Sequence, residues 1–558
     1  LHLLNGILVY FFMGRLLLSK GEGGPPLSGR NYAGPWERDA SIGNLLPLFA
    51  ALFFVANPVQ THGVTYITQR HGEMATLFYL LSLILFIRAV SGKRLRAYPY
   101  LGSLLSLLCG LWCREEVYTA PVMFFLYYLV FVAEDWRWPS LSRGLKLLLP
   151  HVALAGLSFY LGVMTAWGWT FEPNWRWGKG EYLLTQASVI VEYIQLLVLP
   201  LPRWLNADVD FPVSRGLWEG YTLFSLGVIT LLLGTSIILL FKRGLSKEGK
   251  LLAFGVLWFF ITLSPTSTVI TLQEIMVVYR LYLPSIGFCL VWGICIHRAI
   301  GYLWSKGGLG TRGALRAEVL VFSTILLCYS VGAYEHNKVW KDEITFWEDT
   351  VKKSPMKARA HYNLGVAYQA KGLLEKAVKE YLWCVRDGAS RPEEKVRKER
   401  SYSRAWNNLG VICLEGGRDE EAMVNFKKAL ETQPENPDAH YNIGLYHLKR
   451  GDLEEAEKKF LAALTLNPFH AKGHYALGYL HSQKGLSDKA ITSLEKALEL
   501  DPAYEEAHRT LGLIWLNQKK DPKKALVHLQ ESLRLCKDPE TLKTISATIS
   551  DIKKWLED

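Results

Sequence analysis

The sequence predicts an all-α protein in two parts, a polytopic transmembrane helical bundle followed by an α-solenoid of repeats. Two observations carry this. Before about residue 334, apolar runs of roughly membrane-spanning length dominate and charges are confined to short connections. Beyond it, Lys and Glu recur every few residues, no apolar run is long enough to span, and a motif returns at intervals of 34 residues.

The candidate spans are 3–18, 45–56, 75–90, 98–111, 117–132, 147–164, 182–199, 221–241, 251–269, 281–299 and 317–333. Flanking Trp, Tyr and Arg sit in the interface and extend the shorter ones. Orientation follows the Lys/Arg balance. Loops 19–43, 89–97, 133–146, 242–250 and 298–316 are basic and predicted to be cytoplasmic. Connections near 57–73, 112–116, 165–181, 200–220 and 270–280 carry fewer cations and are predicted to face outward. Both connections around 182–199 then fall outside, so this segment is predicted not to cross. Its Gln186, Glu192 and Gln195 are costly in lipid and suit a helix at the outer surface or lining a cavity. Ten crossings result, with Leu1 and the repeats outside.

The net charge of +11 belongs to the cytoplasmic loops of such a bundle, and nucleic-acid binding is not predicted. The eight Cys are scattered, without a CxxC pair or a Cys/His cluster at metal spacing, so neither a disulfide framework nor a structural zinc is expected. Cys109 and Cys113, one helical turn apart, read as small core residues. The chain opens at Leu1 inside an apolar run, with no basic region and cleavage site, and is expected to lack an upstream portion.

In the second part, Asn408-Leu409-Gly410, Asn442-Ile443-Gly444, Ala476-Leu477-Gly478 and Thr510-Leu511-Gly512 recur at intervals of 34, as do Pro434, Pro468 and Pro502. Asn363-Leu364-Gly365 opens the series and is separated from the next unit by the basic stretch RPEEKVRKER. Ala377, Ala422, Ala456 and Ala490 hold a small-residue position, and Tyr381, Phe426 and Phe460 follow the first three by four residues. This is the tetratricopeptide signature in five units. No helix pair buries its apolar face alone, so the pairs stack into a superhelix with a concave groove. Asn363, Asn408 and Asn442 either cap and solvate the first helix of their units or form a ladder that hydrogen-bonds a peptide backbone. The second arrangement resembles the asparagine ladder of the O-GlcNAc transferase repeats; it lapses at Ala476 and Thr510.

Four outward stretches stand beside these repeats: NPVQTHGVTYITQRHGE at 57–73, REEVYTAP at 114–121, LNADVDFP at 205–212 and VVYRLYLPSIGF at 277–288. In this order, with C-terminal repeats, they resemble the TMTC-type membrane O-mannosyltransferases and their bacterial relatives, glycosyltransferases of the GT-C fold. The resemblance covers nearly the whole chain. It implies transfer of a sugar, typically mannose, from a polyprenyl-phosphate carrier to Ser or Thr hydroxyls on the extracytoplasmic side. Such chemistry needs a cation for the phosphate, polar groups for the sugar and a carboxylate base for the acceptor.

Arg280 occupies the place of the Arg in the family's RYLYLP-like stretch and is the first choice for the phosphate, which a guanidinium grips in a fork geometry. Its alternative is an interfacial anchor. Arg70, beside Gln69 and His71, is a second outward cation. Asn57 and Gln60 stand where the family often has His, which argues against metal or acid–base chemistry there. Glu115 and Glu116 follow Arg114 at an outer helix end and also read as a solvated charge cluster. Asp208 and Asp210 form a DxD-like pair; it suits a divalent cation but is too few ligands for a metal site, and Pro212 favours a turn. The Trp-rich loop of Trp167, Trp169, Trp175 and Trp177 reads as interface anchoring or as a stacking surface for sugar rings. In GT-C enzymes the base resides in the first outer loop, which the resemblance places upstream of residue 1, so no catalytic base is named.

The expected organisation is a GT-C-like transmembrane domain over 1–333, a connector over 334–357, five repeats over 358–536 and a capping helix over 537–558. The expected partners are a polyprenyl-phosphate-linked sugar, membrane lipid and an acceptor polypeptide in the groove. The expected location is a bacterial inner membrane with periplasmic repeats, or an ER membrane with lumenal ones. The rival reading is a non-catalytic, membrane-anchored repeat scaffold; another is a ligase acting on polyprenyl-linked glycans.

Overall fold

Apolar runs fold as helices here, and several breaks fall at proline or polar interruptions, although Pro150 is accommodated inside the helix Trp138–Ala166. The computed structural model describes residues 1–18, 45–65, 70–91, 94–133, 138–166, 178–242, 245–267, 274–306, 311–386 and 400–557. It divides into two units, Leu1–Ser354 and Pro355–Asp558. The described residues form helices joined by turns and irregular connections in both, without a strand.

The first unit contains α1 (His2–Leu18), α2 (Leu45–Ala56), α3 (Thr61–Thr65), α4 (Arg70–Val90), α5 (Ala97–Leu111), α6 (Ala120–Tyr127), α7 (Trp138–Ala166) and α8 (Lys179–Val198). It continues with α9 (Thr222–Phe241), α10 (Lys247–Leu263), α11 (Ser285–Lys306), α12 (Thr311–Asn337) and α13 (Glu343–Lys353). Among the described residues, seven helices are long and apolar enough to cross a membrane, and eight if the pair Leu45–Ala56 and Pro58–Thr65, bent by 47°, is one span. The ten crossings expected from sequence exceed this number. The difference lies in α1 and α5, whose 17 and 15 residues fall short of the roughly 20 that a bilayer core requires. Helix α8, over the segment expected not to cross, is not among the seven.

The breaks follow local chemistry. Asn57 caps a 3₁₀ turn at Pro58–Gln60, where proline removes a donor and turns the chain. A second 3₁₀ turn, Glu115–Thr119, leads into α6 ahead of Pro121, and a third, Val278–Leu281, precedes α11. The basic stretch 133–146, expected as a loop, is already helix from Trp138 onward. Likewise the stretch expected as a connector is largely helical, and it belongs to the first unit as far as Ser354.

An aromatic core locks the bundle. Trp258 is buried, lies 5.3 Å from the Phe12 ring and 5.6 Å from Tyr79, and donates its indole N–H to the Leu283 carbonyl at 3.0 Å. Helices α10 and α11 cross at Gly255 and Gly287, where a Cβ on Gly287 would stand 2.4 Å from the Gly255 carbonyl. By contrast, α9 has only 11% of its apolar stretch buried, as expected of a helix facing lipid.

In the second unit the helices pair as α14 (Ala358–Ala370) with α15 (Leu374–Arg386), α16 (Arg400–Glu415) with α17 (Asp419–Thr432), and α18 (Pro437–Arg450) with α19 (Leu453–Leu466). Then come α20 (Ala471–Gln483) with α21 (Ser487–Leu500), α22 (Glu505–Asn517) with α23 (Pro522–Leu535), and the closing α24 (Pro539–Glu557). Each motif glycine admits a partner ring or branch: a Cβ would lie 2.5 Å from Tyr381 at Gly365, 2.4 Å from Phe426 at Gly410 and 2.6 Å from Phe460 at Gly444. Leu494 and Leu529 replace those rings in the last two pairs. A further periodic bond joins successive units. His440, His474 and His508 contact the carbonyls of Pro434, Pro468 and Pro502 through Nε2 at 3.0, 3.0 and 3.2 Å. A carbonyl only accepts, so each Nε2 carries the proton.

Candidate functional site

At one end of the first unit, three 3₁₀ turns and the starts of α3 and α4 gather polar side chains that an apolar bundle would otherwise exclude. The turn at Val278–Leu281 carries Arg280, 4% exposed. Its guanidinium donates to the carbonyl of Glu274 at 2.8 Å and of Ile275 at 3.2 Å. No described carboxylate lies within ion-pair distance of it, so its charge is met by dipoles rather than by a counter-ion. Glu116, buried in the neighbouring turn, acts on Arg280 electrostatically at longer range.

Glu116 is paired instead with Arg114, 3.1 Å away, and both side chains are nearly inaccessible. Glu115 stands 3.9 Å from the same guanidinium with half its side chain exposed. The Arg114 guanidinium lies over the Tyr279 ring, 5.1 Å from its centroid, so the residue next to Arg280 supports the second cation. Gly72 allows this packing: a Cβ there would stand 2.7 Å from an Arg114 nitrogen.

Helix α8 supplies the frame. Its Gln186 donates to the Ile275 carbonyl at 2.8 Å. The Tyr193 hydroxyl accepts from the Val277 amide at 3.0 Å and donates to the Val277 carbonyl at 2.9 Å. Burial raises the Tyr193 phenol above its ordinary value, against the pull of nearby Arg280; burial raises Tyr279 too, reinforced by Glu274. Both remain neutral donors. On the other side, Tyr282 meets His2 at 2.7 Å and Asn5 at 3.2 Å, and Asn5 also donates to the Glu73 carbonyl. Glu73 itself is buried, with one carboxylate oxygen lacking a hydrogen-bond partner.

The residues expected from sequence distribute as follows. Arg70 is the exposed first residue of α4, while Gln69 and the four loop tryptophans lie outside the described residues. Asn57 and Gln60 have structural partners: Asn57 accepts from the Val59 amide, and Gln60 donates to Ser285 at 2.8 Å. Asp208 and Asp210 sit in a turn built by Asn206, whose side chain accepts from the Asp208 amide and donates to Ser354 at 2.7 Å. The Asp210 amide also donates to Ser354, so this loop is tied to the end of α13. Its Leu205, Val209 and Phe211 pack into one apolar cluster with Val278 and Leu281 of the Arg280 turn. Among the described residues no three His, Cys, Asp or Glu side chains converge as metal ligands.

In the repeats, Asn408 donates to the Tyr381 hydroxyl at 3.0 Å and Asn442 to the Asn407 carboxamide oxygen at 2.8 Å. Each amide therefore bridges successive helix pairs rather than capping its own helix. Asn363 is half-buried, with no hydrogen bond to a described residue.

Arg114 enters the sequence reading only as a neighbour of Glu115; Glu73 and Tyr282 lie within quoted stretches without being singled out, and Tyr193 is not named. The available signal was their position: each lies in or beside one of the outward stretches, or on the one apolar segment rich in amides.

Comparison with known proteins matches tetratricopeptide-repeat models at residues 346–383, 437–470 and 471–504, and a TPR-repeat model at 410–451. The chain is similar to the protein O-mannosyl-transferase F38B6.6 of Caenorhabditis elegans, 24% identical over 60% of this chain and 44% of that protein. It is also similar to human protein O-mannosyl-transferase TMTC1, 23% identical over 44% of this chain and 26% of that one. The chain thus spans less than half the length of these relatives. Among solved structures, MamA aligns over 31% of this chain and 94% of its own, with 21% identity and a TM-score of 0.25.

Proposed function

We propose that this chain, whose homologues are TMTC-type protein O-mannosyltransferases with tetratricopeptide repeats, is the membrane-embedded part of such a glycosyltransferase. It takes a sugar, mannose by the family's habit, from a polyprenyl-phosphate carrier and passes it to Ser or Thr hydroxyls of extracytoplasmic proteins. The repeats hold the acceptor polypeptide through Asn363, Asn408 and Asn442.

One observation supports this reading above the others: the Arg280 and Arg114 side chains are both buried at one end of an apolar bundle, with one buried carboxylate, Glu116, paired to Arg114 and only at longer range from Arg280. A guanidinium shielded from water and bound only to carbonyls is poised to gain from an arriving phosphate far more than an exposed one would. The phenol of Tyr279 and the carboxylates of Glu115 and Glu73 would meet the sugar hydroxyls, with Tyr193 holding the turn that carries Arg280, Arg70 and Gln69 at the rim and Asp208 and Asp210 on the adjoining loop. Embedded in the inner membrane of a bacterium, this end faces the periplasm, as the cation-poor connections require; in an ER membrane it faces the lumen.

The test is transfer of labelled mannose from polyprenyl-phosphate-mannose to a Ser/Thr-rich acceptor by the full-length protein. Arg280→Ala should reduce transfer at least a hundredfold while membrane insertion is unchanged. Transfer at the wild-type rate would remove Arg280 from the site. The scaffold reading has one observation in its favour, that each terminal nitrogen of the Arg280 guanidinium already donates to a backbone carbonyl. Under that reading Arg280→Ala lowers stability and no acceptor is ever modified.

A further inference from the structure

The opposite end of the bundle carries a second, separate feature. Helix α4 runs from Gly72, against Arg114, to Ala89 and Val90, about 27 Å away at 1.5 Å per residue. There the chain turns, with the Arg96 amide bonded to the Ala89 carbonyl, and α5 runs back toward Arg114. Beside this turn lies a cavity of about 470 Å³, lined by Leu95, Tyr100, Ser142, Arg143, Lys146 and Leu147. Its volume falls in the range of small-molecule sites.

The lining is divided by chemistry. Arg143 and Lys146 stand one helical turn apart on α7, both exposed, and neither has an ion pair to a described residue. Ser142 adds a hydroxyl beside them, while the Tyr100 hydroxyl donates to the Leu147 carbonyl and closes the inner wall. From this cationic mouth, exposed apolar side chains continue along both helices: Leu101 and Leu105 on α5, Leu149 and Val152 on α7. Tyr98 and Trp138, 89% and 72% exposed, open α5 and α7 close in sequence to the lining residues, and exposed aromatics of this kind suit a headgroup interface.

We infer that this cavity is a binding site for the headgroup of an anionic glycerophospholipid, with its phosphate between Arg143 and Lys146 and its acyl chains along the exposed faces of α5 and α7. Charge complementarity selects an anionic headgroup over a zwitterionic one, and the apolar track selects a lipid over a free anion. The proposal rests on embedding of the bundle in a membrane and is independent of sugar transfer, because the cavity lies a full helix length from Arg280.

The experiment is native mass spectrometry of the full chain in mild detergent, titrated in separate arms with phosphatidylglycerol, phosphatidylcholine, polyprenyl phosphate and inorganic phosphate. The wild type should retain phosphatidylglycerol at least tenfold better than phosphatidylcholine and should not retain inorganic phosphate. Each cation removed should weaken retention about fivefold, so Arg143→Gln with Lys146→Gln should weaken it about twenty-fivefold. Lys146→Arg should stay within twofold of wild type. Should the double variant not be recovered in folded form, Lys146→Gln alone decides by its fivefold loss. Undiminished retention by either Gln variant, equal retention of phosphatidylcholine, or competition by inorganic phosphate would overturn the proposal. Preferential retention of polyprenyl phosphate would also overturn it and make the cavity a carrier site instead.

Discussion

A single hydrogen atom decides several positions in the repeats. At Gly410 an added methyl would stand 2.4 Å from the Phe426 ring, and that ring is completely buried, so it has no free space to move into. Gly410→Ala should therefore destabilise the second unit by about 1–3 kcal/mol, the usual cost of overpacking, and hydrogen exchange of α16 and α17 amides in the intact chain would register it. Unchanged exchange would mean the helix pair separates more easily than its packing implies. The opposite substitution helps at Lys520. The earlier turns place Gly417, Gly451 and Gly485 at φ of 72°, 81° and 75°, but the last puts the exposed side chain of Lys520 at φ 55°. An L residue in the left-handed region costs roughly 1–2 kcal/mol, partly offset by the greater freedom of glycine in the unfolded chain. Lys520→Gly should raise stability by roughly 0.5–1 kcal/mol, read as slower exchange in α22 and α23; faster exchange would show that the lysine's own contacts outweigh its backbone strain.

At the scale of elements, α8 shows what one of its costly polar residues, Gln186, is used for. Gln186 and Tyr193 spend their hydrogen bonds on the backbone at 275 and 277, and so fix the turn that presents Arg280. Tyr193→Phe keeps the ring but leaves the buried Val277 amide and carbonyl without their partner, a loss of about 1–3 kcal/mol. Under the proposed function, kcat/KM for the lipid-linked sugar should fall about tenfold, mostly through KM, because the guanidinium remains and only its placement loosens. A fall confined to kcat would assign Tyr193 a direct part in the reaction. The helices themselves were legible because uninterrupted apolar runs leave no other way to satisfy backbone groups in lipid. The repeats were legible because Gly, Ala, Pro and an aromatic return in register every 34 residues. The ends of α1 and α5 were legible to within one residue of the expected 3–18 and 98–111; what hydropathy did not report is that both are too short to count as crossings. The support of the site was less legible still. Tyr282 meets Asn5 from 277 residues away, and Tyr193 meets Val277 from 84, so burial of Glu73 and Arg114 is a product of tertiary packing with no local trace. Arg280 could be picked out because its surrounding VVYRLYLP stretch resembles a family motif; Arg114 stands in a stretch that draws attention to its acidic neighbours.

For the molecule as a whole, the two units meet different solvents, and acid should weaken the repeat unit through its histidines first. His440 keeps its Nε2 proton on the Pro434 carbonyl, and its buried Nδ1 has no hydrogen-bond partner, so a second proton would be charged, desolvated and unpaired. Burial holds His440 below the ordinary histidine range, with Lys459 adding to the effect and the Pro434 bond opposing it. Burial lowers His528 as well, assisted by His508, whose Nδ1 lies 3.2 Å from its own. A histidine depressed in the folded state binds fewer protons there than when unfolded. Its contribution is therefore complete above about pH 6.5 and is lost as pH falls from there through the folded value. The carboxylates act elsewhere: Asp438 is lowered by its hydrogen bond to His470 and Glu457 by Lys484, so their contributions are lost only as pH falls below the carboxylate range. Between pH 7.5 and 5.5 the histidines alone should set the slope. Hydrogen exchange in α18 to α23 of the intact chain, corrected for intrinsic rates, should show lower protection at pH 5.5. His440→Gln, which can still donate to the Pro434 carbonyl, combined with His528→Gln should flatten that dependence. If the double variant retained the full slope, the acid sensitivity of the solenoid would have to come from groups other than these two imidazoles.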